Sequence, residues 1–502
     1  MEADISPRAS GPRTKPLQLA VGIARALRVA CAFGVLTLYN CDASEPKRAV
    51  QVREPTPALG DAGALDASSP VDAAAPANPH GDVPIWPRSE QTLDLDLESA
   101  QRAVLTLVPD PSQLDVHFNV DTTASFSGEI DAIQRELTRS IIPRLRSRVS
   151  NTQLGVSRFA DFALVPFGRP ASKGAADVPY KLLSPITDTL SKVASAVHAL
   201  DRPLGEGGDV PEASAEALYQ IATGVGLERA GRTIIEPFDR AAAAAQGGGT
   251  VGGVGFRRGA FRVVVHITDA PAHTPTEYAS QGLESTHSLA SAAAALHAIG
   301  ARVIGICSTG FRDSERVRTE LSELALATGA QTKPDRKDRC PTGLAGALLP
   351  SYGGVCPWVF DVDYDGSGLA RSITDAVVAL LDDARFAAVH AEVGDDPLGF
   401  VKKIELTPLK QSAGVVMPQT ADLLPSGAPD GIADSYLDVN KEHRLGFAVT
   451  LRDTRIAPAD YDQRYRVSVR LVADSVLLEE RVLGIRIPAV SQPLAADDDA
   501  GL

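Results

Sequence analysis

Short oxygen-bearing side chains follow one another at Asp121, Thr123 and Ser125. The residues before them, 114–120, alternate apolar and polar side chains, which predicts a strand with one buried face. The residues that follow, 129–145, space their isoleucines and leucines along one face of a predicted helix. A carboxylate and two hydroxyls in a loop between a strand and a helix are ligands of the kind that hard divalent cations prefer.

Further acidic residues stand where more ligands of the same ion would be expected. Asp269 closely follows the apolar run 261–267, which is typical of a strand buried in a parallel sheet. Asp209 and Glu212 lie in a loop that opens another predicted helix. Because loops beyond the carboxyl ends of parallel strands meet at one edge of the sheet, we expect these carboxylates to lie near Asp121. An all-oxygen set of ligands favours Mg²⁺, Mn²⁺ or Ca²⁺ over zinc.

The order of predicted elements indicates an α/β domain over 91–394, built on a doubly wound, mostly parallel, Rossmann-like sheet. Within it, residues 184–200 are expected to contain a helix, and the Ala- and Gly-rich stretch near 241–255 is expected to be an exposed insertion. Strand patterns separated by Pro, Gly and Asp then predict a smaller all-β domain over 395–490. The acidic end, 491–502, is expected to be a disordered tail.

The three acidic loops resemble those of the von Willebrand factor A domains, and in particular the integrin β I-like variant. The family's metal motif, Asp-x-Ser/Thr-x-Ser, is matched by Asp121, Thr123 and Ser125, and its later aspartate by Asp269. The integrin-like Asp-x-Pro-Glu is matched by 209–212, which implies that the glutamate joins the ion. The resemblance covers roughly residues 112–385.

This resemblance implies a binding or adhesion protein in which a divalent cation, Mg²⁺ or else Mn²⁺ or Ca²⁺, bridges to an exposed carboxylate on a protein partner. The physical basis is that two hydroxyl ligands in place of carboxylates leave the ion electron-poor. Such an ion would accept a further negative ligand from outside the chain.

Departures from the integrin pattern argue against further ions beside this one. Gly207 stands where that pattern has Asn, and Gly128 precedes Glu129 where it has two acidic residues. We therefore expect Asp209, Glu129 and His273 to support the main ion or, failing that, to lie at an adjacent one.

Simpler roles for these residues remain open at this point. Asp121 could cap the helix that follows, and Asp209 and Glu212 could be acids that favour a helix start. Two other functions also remain: a metal-assisted hydrolase acting on phosphoesters, and a structural envelope module with a vestigial site. The sequence offers neither a nucleophile–base pair nor a His-rich ligand motif, so we expect no enzyme.

Residues 1–41 have the pattern of an export signal, with basic residues before an apolar run that is too short to span a membrane. The run ends at Cys41, which resembles the lipidated residue of a bacterial lipoprotein. The alternatives are simple signal cleavage and a retained anchor. Residues 42–90, rich in Ala, Pro and Asp, predict a disordered tether. Together these features predict a protein of the bacterial cell envelope, anchored at the inner or outer membrane, or a secreted one.

Charge and cysteine content add further expectations. The net charge of −14 argues against nucleic acid as a partner, because phosphate contacts need a basic surface. Export favours a disulfide between Cys340 and Cys356, and Cys307 is expected to be a buried free thiol. The acidic run 361–365 suggests a calcium loop, but Ser372 stands where an EF-hand needs a bidentate acid, so a turn with a helix cap is the alternative.

Overall fold

The computed structural model describes residues 91–94, 100–310, 313–423, 431–452, 456–457 and 459–490. The predicted export signal with Cys41, the predicted tether over 42–90 and the predicted tail over 491–502 lie outside the described residues. Within the described part of the chain, no helix combines the length and the apolar character needed to cross a membrane.

A six-stranded sheet forms the centre of the α/β part. The strand Phe261–Thr268 is buried along its whole length, as expected of a strand covered by helices on both faces. The first five strands in the spatial order below run parallel, and the last runs antiparallel to its neighbour. This confirms the predicted α/β fold class with a mostly parallel sheet. The spatial order is Val359–Asp363, Ala301–Thr309, Phe261–Thr268, Gln113–Asp121, Asn151–Phe159 and Lys181–Thr187.

Helices connect these strands, and the longest assembly follows Asp121. There a π-helical turn, Leu137–Ile141, joins the α-helices Ser127–Glu136 and Ile142–Arg148, and their isoleucines and leucines are buried as the sequence pattern predicts. The other described α-helices are Leu190–Val197, Ser214–Thr223, Arg240–Ala245, Pro275–Ala279, Leu289–Ala298, Ser314–Ala327 and Leu369–Asp382.

Two predicted segments of the α/β part combine different structures. Residues 184–200 contain the helix Leu190–Val197, as predicted, and they begin inside the edge strand Lys181–Thr187, where Pro185 is tolerated because an edge position does not need every backbone N–H. The Ala- and Gly-rich stretch is exposed over 241–247, as predicted, but 252–255 are buried. There a Cβ on Gly253 would lie only 2.0 Å from the Gln220 carbonyl oxygen, so glycine allows two backbones to touch.

The remaining long strands form two further sheets that make up the β part. A hairpin turn at Asp474 and Ser475 joins two of these strands, with φ values of 45° and 70° that match a tight turn between twisted strands. One sheet contains, in order, Gln91–Asp94, Val476–Ile487, Gln463–Ala473, Arg385–Val393, Ser435–Asn440 and Gln419–Ala421, and the other Val401–Leu406, Leu445–Leu451 and Gln101–Leu107.

The division between the two parts differs from the predicted boundary between 394 and 395. Gln91–Asp94 and Gln101–Leu107 pair with strands from the C-terminal region. Arg385–Val393 also belongs to the β part, between two of its strands. The α/β part therefore lies between strands of the β part in sequence, at 108–384. A fragment ending at 394 would remove the partners of both early strands, so the full chain is the proper material for experiments.

Short two-stranded ladders also occur among the described residues, and two of them contain the cysteines of the predicted disulfide. Cys340 and Cys356 are bonded, which confirms that prediction, and Cys307 is a buried free thiol, as expected. The ladders join Leu227–Arg229 with Arg232–Ile235, Gln331–Thr332 with Cys356–Pro357, and Arg339–Cys340 with Leu349–Pro350.

Candidate metal centre

The first predicted ligand, Asp121, ends its strand at the carboxyl edge of the sheet and is fully buried. Its Oδ1 accepts hydrogen bonds from the backbone N–H of Thr123 at 3.0 Å and from the Thr123 hydroxyl at 2.8 Å. Its Oδ2 accepts a hydrogen bond from the Thr268 hydroxyl at 2.8 Å. The Thr123 hydroxyl lies 3.3 Å from Ser125 Oγ, so one carboxylate and two hydroxyls lie together. The next helix has Phe126 at its N-cap and no side-chain cap, so Asp121 does not cap it.

Asp269 comes from the neighbouring parallel strand and reaches the same place. It directly follows the strand that pairs with the Asp121 strand, and its carboxylate is near enough to Ser125 for that hydroxyl to lower its pKa, against the larger rise from burial. Asp269 is buried, yet its Oδ1 has no hydrogen-bond partner among the described protein atoms. A buried carboxylate oxygen without a donor is costly, and a cation would compensate for it.

Glu212 is held beside Asp269 by backbone hydrogen bonds. Its N–H donates to the Pro271 carbonyl at 2.9 Å, and its carbonyl accepts from the N–H of His273 at 3.0 Å. Glu212 is 3% exposed, and its Oε2 has no partner among the described protein atoms. The helix Ser214–Thr223 has Glu216, not Glu212, as the acid of its first turn, so a helix-start role does not explain Glu212.

The charges of these three acids act on one another in the metal-free chain. Burial raises the pKa of Asp121 to about 7, and the negative charge of Asp269 adds to this rise. Burial also raises the pKa of Asp269, and burial followed by the charge of Asp121 raises that of Glu212 well above its usual range. Unpaired oxygens and mutual repulsion fit a site for a divalent cation, which would relieve both.

Glu129 lies close enough for its charge to interact with this group. It is buried, its Oε1 accepts a hydrogen bond from Ser308, and its Oε2 has no partner among the described protein atoms. Burial, and then the charges of Asp269 and Asp121, raise the pKa of Glu129 to about 7. At the preceding position, a Cβ on Gly128 would lie 2.6 Å from a backbone oxygen of a neighbouring loop, so no second acid fits there.

The glycine that replaces the integrin-like Asn also has a local cause. Gly207 has a φ of +69°, a conformation that favours glycine, and its N–H donates to Asp177 Oδ2 at 3.1 Å. A Cβ at this position would lie 3.0 Å from Glu212 Oε1, so the missing side chain leaves room for the Glu212 carboxylate.

Asp209 does not point to the same place as Glu212. It forms a separate group with His273 and with Asp161, a residue that belongs to none of the predicted metal-binding loops. One ligand atom from each of the three lies within 4.8 Å of the others, so the group could hold a metal ion. The available signal for Asp161 was its place just beyond the strand Asn151–Phe159, at the sheet edge where Asp121 and Asp269 lie.

The acidic run at 361–365 does not gather into a calcium site. Asp361 pairs with Arg318, and Asp363 and Asp365 accept hydrogen bonds from backbone N–H groups of their own turn. Because each carboxylate has a separate partner, the segment is a turn before a helix, as the alternative predicted. The predicted cap is not there, since the N-cap of Leu369–Asp382 is Gly368 and no side chain caps that helix.

No family model matches the sequence. No curated protein matches it either. Among solved structures, the chain is similar to a von Willebrand factor type A protein from Catenulispora acidiphila, with 14% identity, a TM-score of 0.31, and coverage of 80% of this chain and 73% of the other. It is also similar to the pilus adhesin SpaC from Lactobacillus rhamnosus GG in its open conformation, with 10% identity, a TM-score of 0.29, and coverage of 78% of this chain and 46% of the adhesin. At these TM-scores neither structure identifies the fold or the function of this chain.

Proposed function

We propose that this chain is a metal-ion-dependent binding protein of the von Willebrand factor A type. The observation that carries the proposal is the meeting of Asp121, Asp269 and Glu212 at one edge of the sheet. Two of these buried acids have a carboxylate oxygen without a hydrogen-bond partner among the described atoms. With the hydroxyls of Thr123 and Ser125, they offer an all-oxygen set of ligands that suits Mg²⁺, and also Mn²⁺ or Ca²⁺.

A partner would reach the ion from the solvent side. Ser125 is exposed, whereas Asp121, Asp269 and Glu212 are buried, so these residues would hold an ion from the buried side, and a partner could approach it from the side of Ser125. An ion with hydroxyl ligands retains much of its positive charge. A carboxylate on a protein partner is the ligand that such an ion would accept there.

Binding accounts for the centre better than hydrolysis does. A hydrolase would need a base close to an ion-bound water. The imidazole of His273 is the obvious candidate, but its two nitrogens face Asp209 and Glu277, so it has no free nitrogen to accept a proton. Turnover of a generic phosphoester by the pure chain, lost in Asp121→Ala, would support the hydrolase instead.

A capture experiment tests the binding function. The full chain, immobilised, is incubated with a detergent extract of cell envelope in Mg²⁺ or in EDTA, and the bound proteins are identified by mass spectrometry. We expect a partner that is retained in Mg²⁺, released by EDTA, and absent from a column of Asp121→Ala. Replacing exposed acids of that partner one at a time should abolish its retention at one position. Retention that is unaffected by EDTA and by Asp121→Ala would contradict the proposal.

We also propose that the protein is displayed at the bacterial cell envelope through a lipid on Cys41. The support is the basic and apolar pattern before Cys41 and the Ala-, Pro- and Asp-rich sequence after it. In cells given an alkyne-labelled fatty acid, the wild type should carry the label and Cys41→Ala should not. Equal labelling of both proteins, or of neither, would contradict the lipid anchor.

A further inference from the structure

We propose that the side chain of His273 is a built-in cation that fills the place between Asp161 and Asp209 and thereby positions the loop carrying Glu212. The centre would then take one divalent ion per chain, and His273 would act as a positioning residue. This inference rests on the proposed function, because it concerns how the metal centre is supported.

The hydrogen-bond geometry indicates that the ring carries both of its protons. The Nε2 atom of His273 lies 3.1 Å from Asp209 Oδ1 and 3.2 Å from Asp161 Oδ2, and its Nδ1 lies 3.3 Å from Glu277 Oε2. A neutral imidazole donates from one nitrogen only, whereas here both nitrogens face carboxylate oxygens.

The surroundings of the ring isolate this charge from water. The His273 side chain is 2% exposed, and the rings of Phe167 and Tyr278 pack on it with centroid distances of 4.9 and 4.8 Å. The Tyr278 hydroxyl donates to Asp161 Oδ1 at 2.7 Å and so fixes that carboxylate. Among the described residues, Asp161 and Asp209 each form an ion pair with His273.

The ring joins three segments that meet at the metal centre. Asp161 follows the strand Asn151–Phe159, Asp209 lies in the loop that carries Glu212, and His273 itself lies four residues after Asp269. The backbone N–H of His273 also donates to the Glu212 carbonyl at 3.0 Å. The loop carrying Glu212 is therefore attached to the Asp269 segment through both the backbone and the side chain of one residue. A second divalent ion between Asp161 and Asp209 would be repelled by the positive charge of the ring.

Metal stoichiometry tests this proposal in the full chain. After equilibrium dialysis against Mn²⁺, bound metal per chain is measured for the wild type, His273→Gln and His287→Gln. The last is a matched control, because His287 also pairs with a buried acid, its Nδ1 lying 2.9 Å from Glu216 Oε2, in a group apart from Asp161, Asp209 and Glu212. We expect one ion for the wild type and for the control.

For His273→Gln we expect either a second ion, because Asp161 and Asp209 lose their cation, or one ion bound at least roughly tenfold more weakly, because the loop carrying Glu212 is loosened. Two ions in the wild type and one in His273→Gln would overturn the proposal, since His273 would then be a ligand. One ion with unchanged affinity in His273→Gln would overturn it as well.

Melting temperatures separate this proposal from the metal centre itself. If no protein binds Mn²⁺, the proposed function fails, but the built-in cation can still be tested without metal. His273→Gln should lower the melting temperature by roughly 10 °C, because a buried carboxylate loses its partner. Adding Asp161→Asn should restore most of that loss. If His273→Gln does not fold on its own, the double variant is measured instead. Losses that simply add would overturn the proposal.

Discussion

Asp121→Asn is expected to abolish Mg²⁺ binding and, in the metal-free protein, to raise stability. The amide can still accept the hydrogen bonds from Thr123, but it carries no negative charge for an ion. Burial and the charge of Asp269 raise the pKa of Asp121 from 3.8 to about 7, so the ionised side chain destabilises the metal-free fold. At about pH 8 the removal of this charge should stabilise the metal-free protein by about 2–4 kcal/mol. The affinity for Mg²⁺ should fall by at least roughly 100-fold, since a direct ligand is lost.

The test is chemical denaturation and calorimetric Mg²⁺ titration of the full chain, with Asp115→Asn as the control. Asp115 lies in the same strand and is also fully buried, but its carboxylate is 2.6 Å from Arg257 Nη2. Burial raises the pKa of Asp115 even beside Arg257, but an amide has one acceptor oxygen where Arg257 now donates to two. The loss of that pairing outweighs the gain from removing the charge, so the replacement should leave Mg²⁺ binding unchanged and lower stability. If Asp121→Asn also lowered stability in the metal-free protein, Asp121 would be a structural aspartate and the metal centre would lose its main support.

The metal centre was predictable from the sequence where its ligands follow regular elements. Asp121 and Asp269 follow apolar strands, and the rule that parallel strands end at one sheet edge was enough to bring them together. The prediction of Glu212 as a ligand depended on the resemblance to a family motif, because Glu212 lies in no regular strand. Its backbone forms a single β-bridge with Ala272. The sequence therefore predicted the ligands whose positions follow from regular elements.

Residues whose roles depend on contacts between distant segments were not predictable in the same way. Asp161 belongs to no motif, and the sequence showed only that His273 lies close to Asp269 in the chain. The fold places both residues beside Asp209. The division of the chain was misplaced for a related reason. Gln101–Leu107 pairs along its whole length with Leu445–Leu451. No local sequence pattern predicts that two segments so far apart in the chain form one ladder. Local periodicity identifies strands, whereas their partners depend on how the whole chain closes.

The stabilisation that Mg²⁺ gives the protein is expected to increase with pH between about pH 5 and pH 8. In the metal-free chain, burial raises the pKa of Asp121 and that of Glu129 to about 7. A carboxylate whose folded pKa is raised contributes stability below its unfolded pKa, and that contribution is lost as the pH rises through about 7. The metal-free protein therefore becomes less stable as Asp121 and Glu129 ionise. Over the same pH range the ion gains ionised ligands. Mg²⁺ affinity should rise roughly tenfold per pH unit for each proton displaced, and should level off above about pH 8.

Thermal unfolding with and without Mg²⁺ at several pH values measures this effect, and Asp121→Asn isolates it from the titration of other acids. The melting temperature of the metal-free wild type should fall relative to that of the variant as the pH rises through about 7, because the variant has no charge to gain at this position. Mg²⁺ should restore the wild type increasingly over the same range and should leave the variant unchanged. A Mg²⁺ effect of equal size at low and high pH would mean that the ion binds elsewhere, at carboxylates with ordinary pKa values. The pH dependence therefore tests the location of the ion as well as its presence, since a buried group of acids couples metal binding to protons near neutral pH, whereas exposed carboxylates are already ionised there.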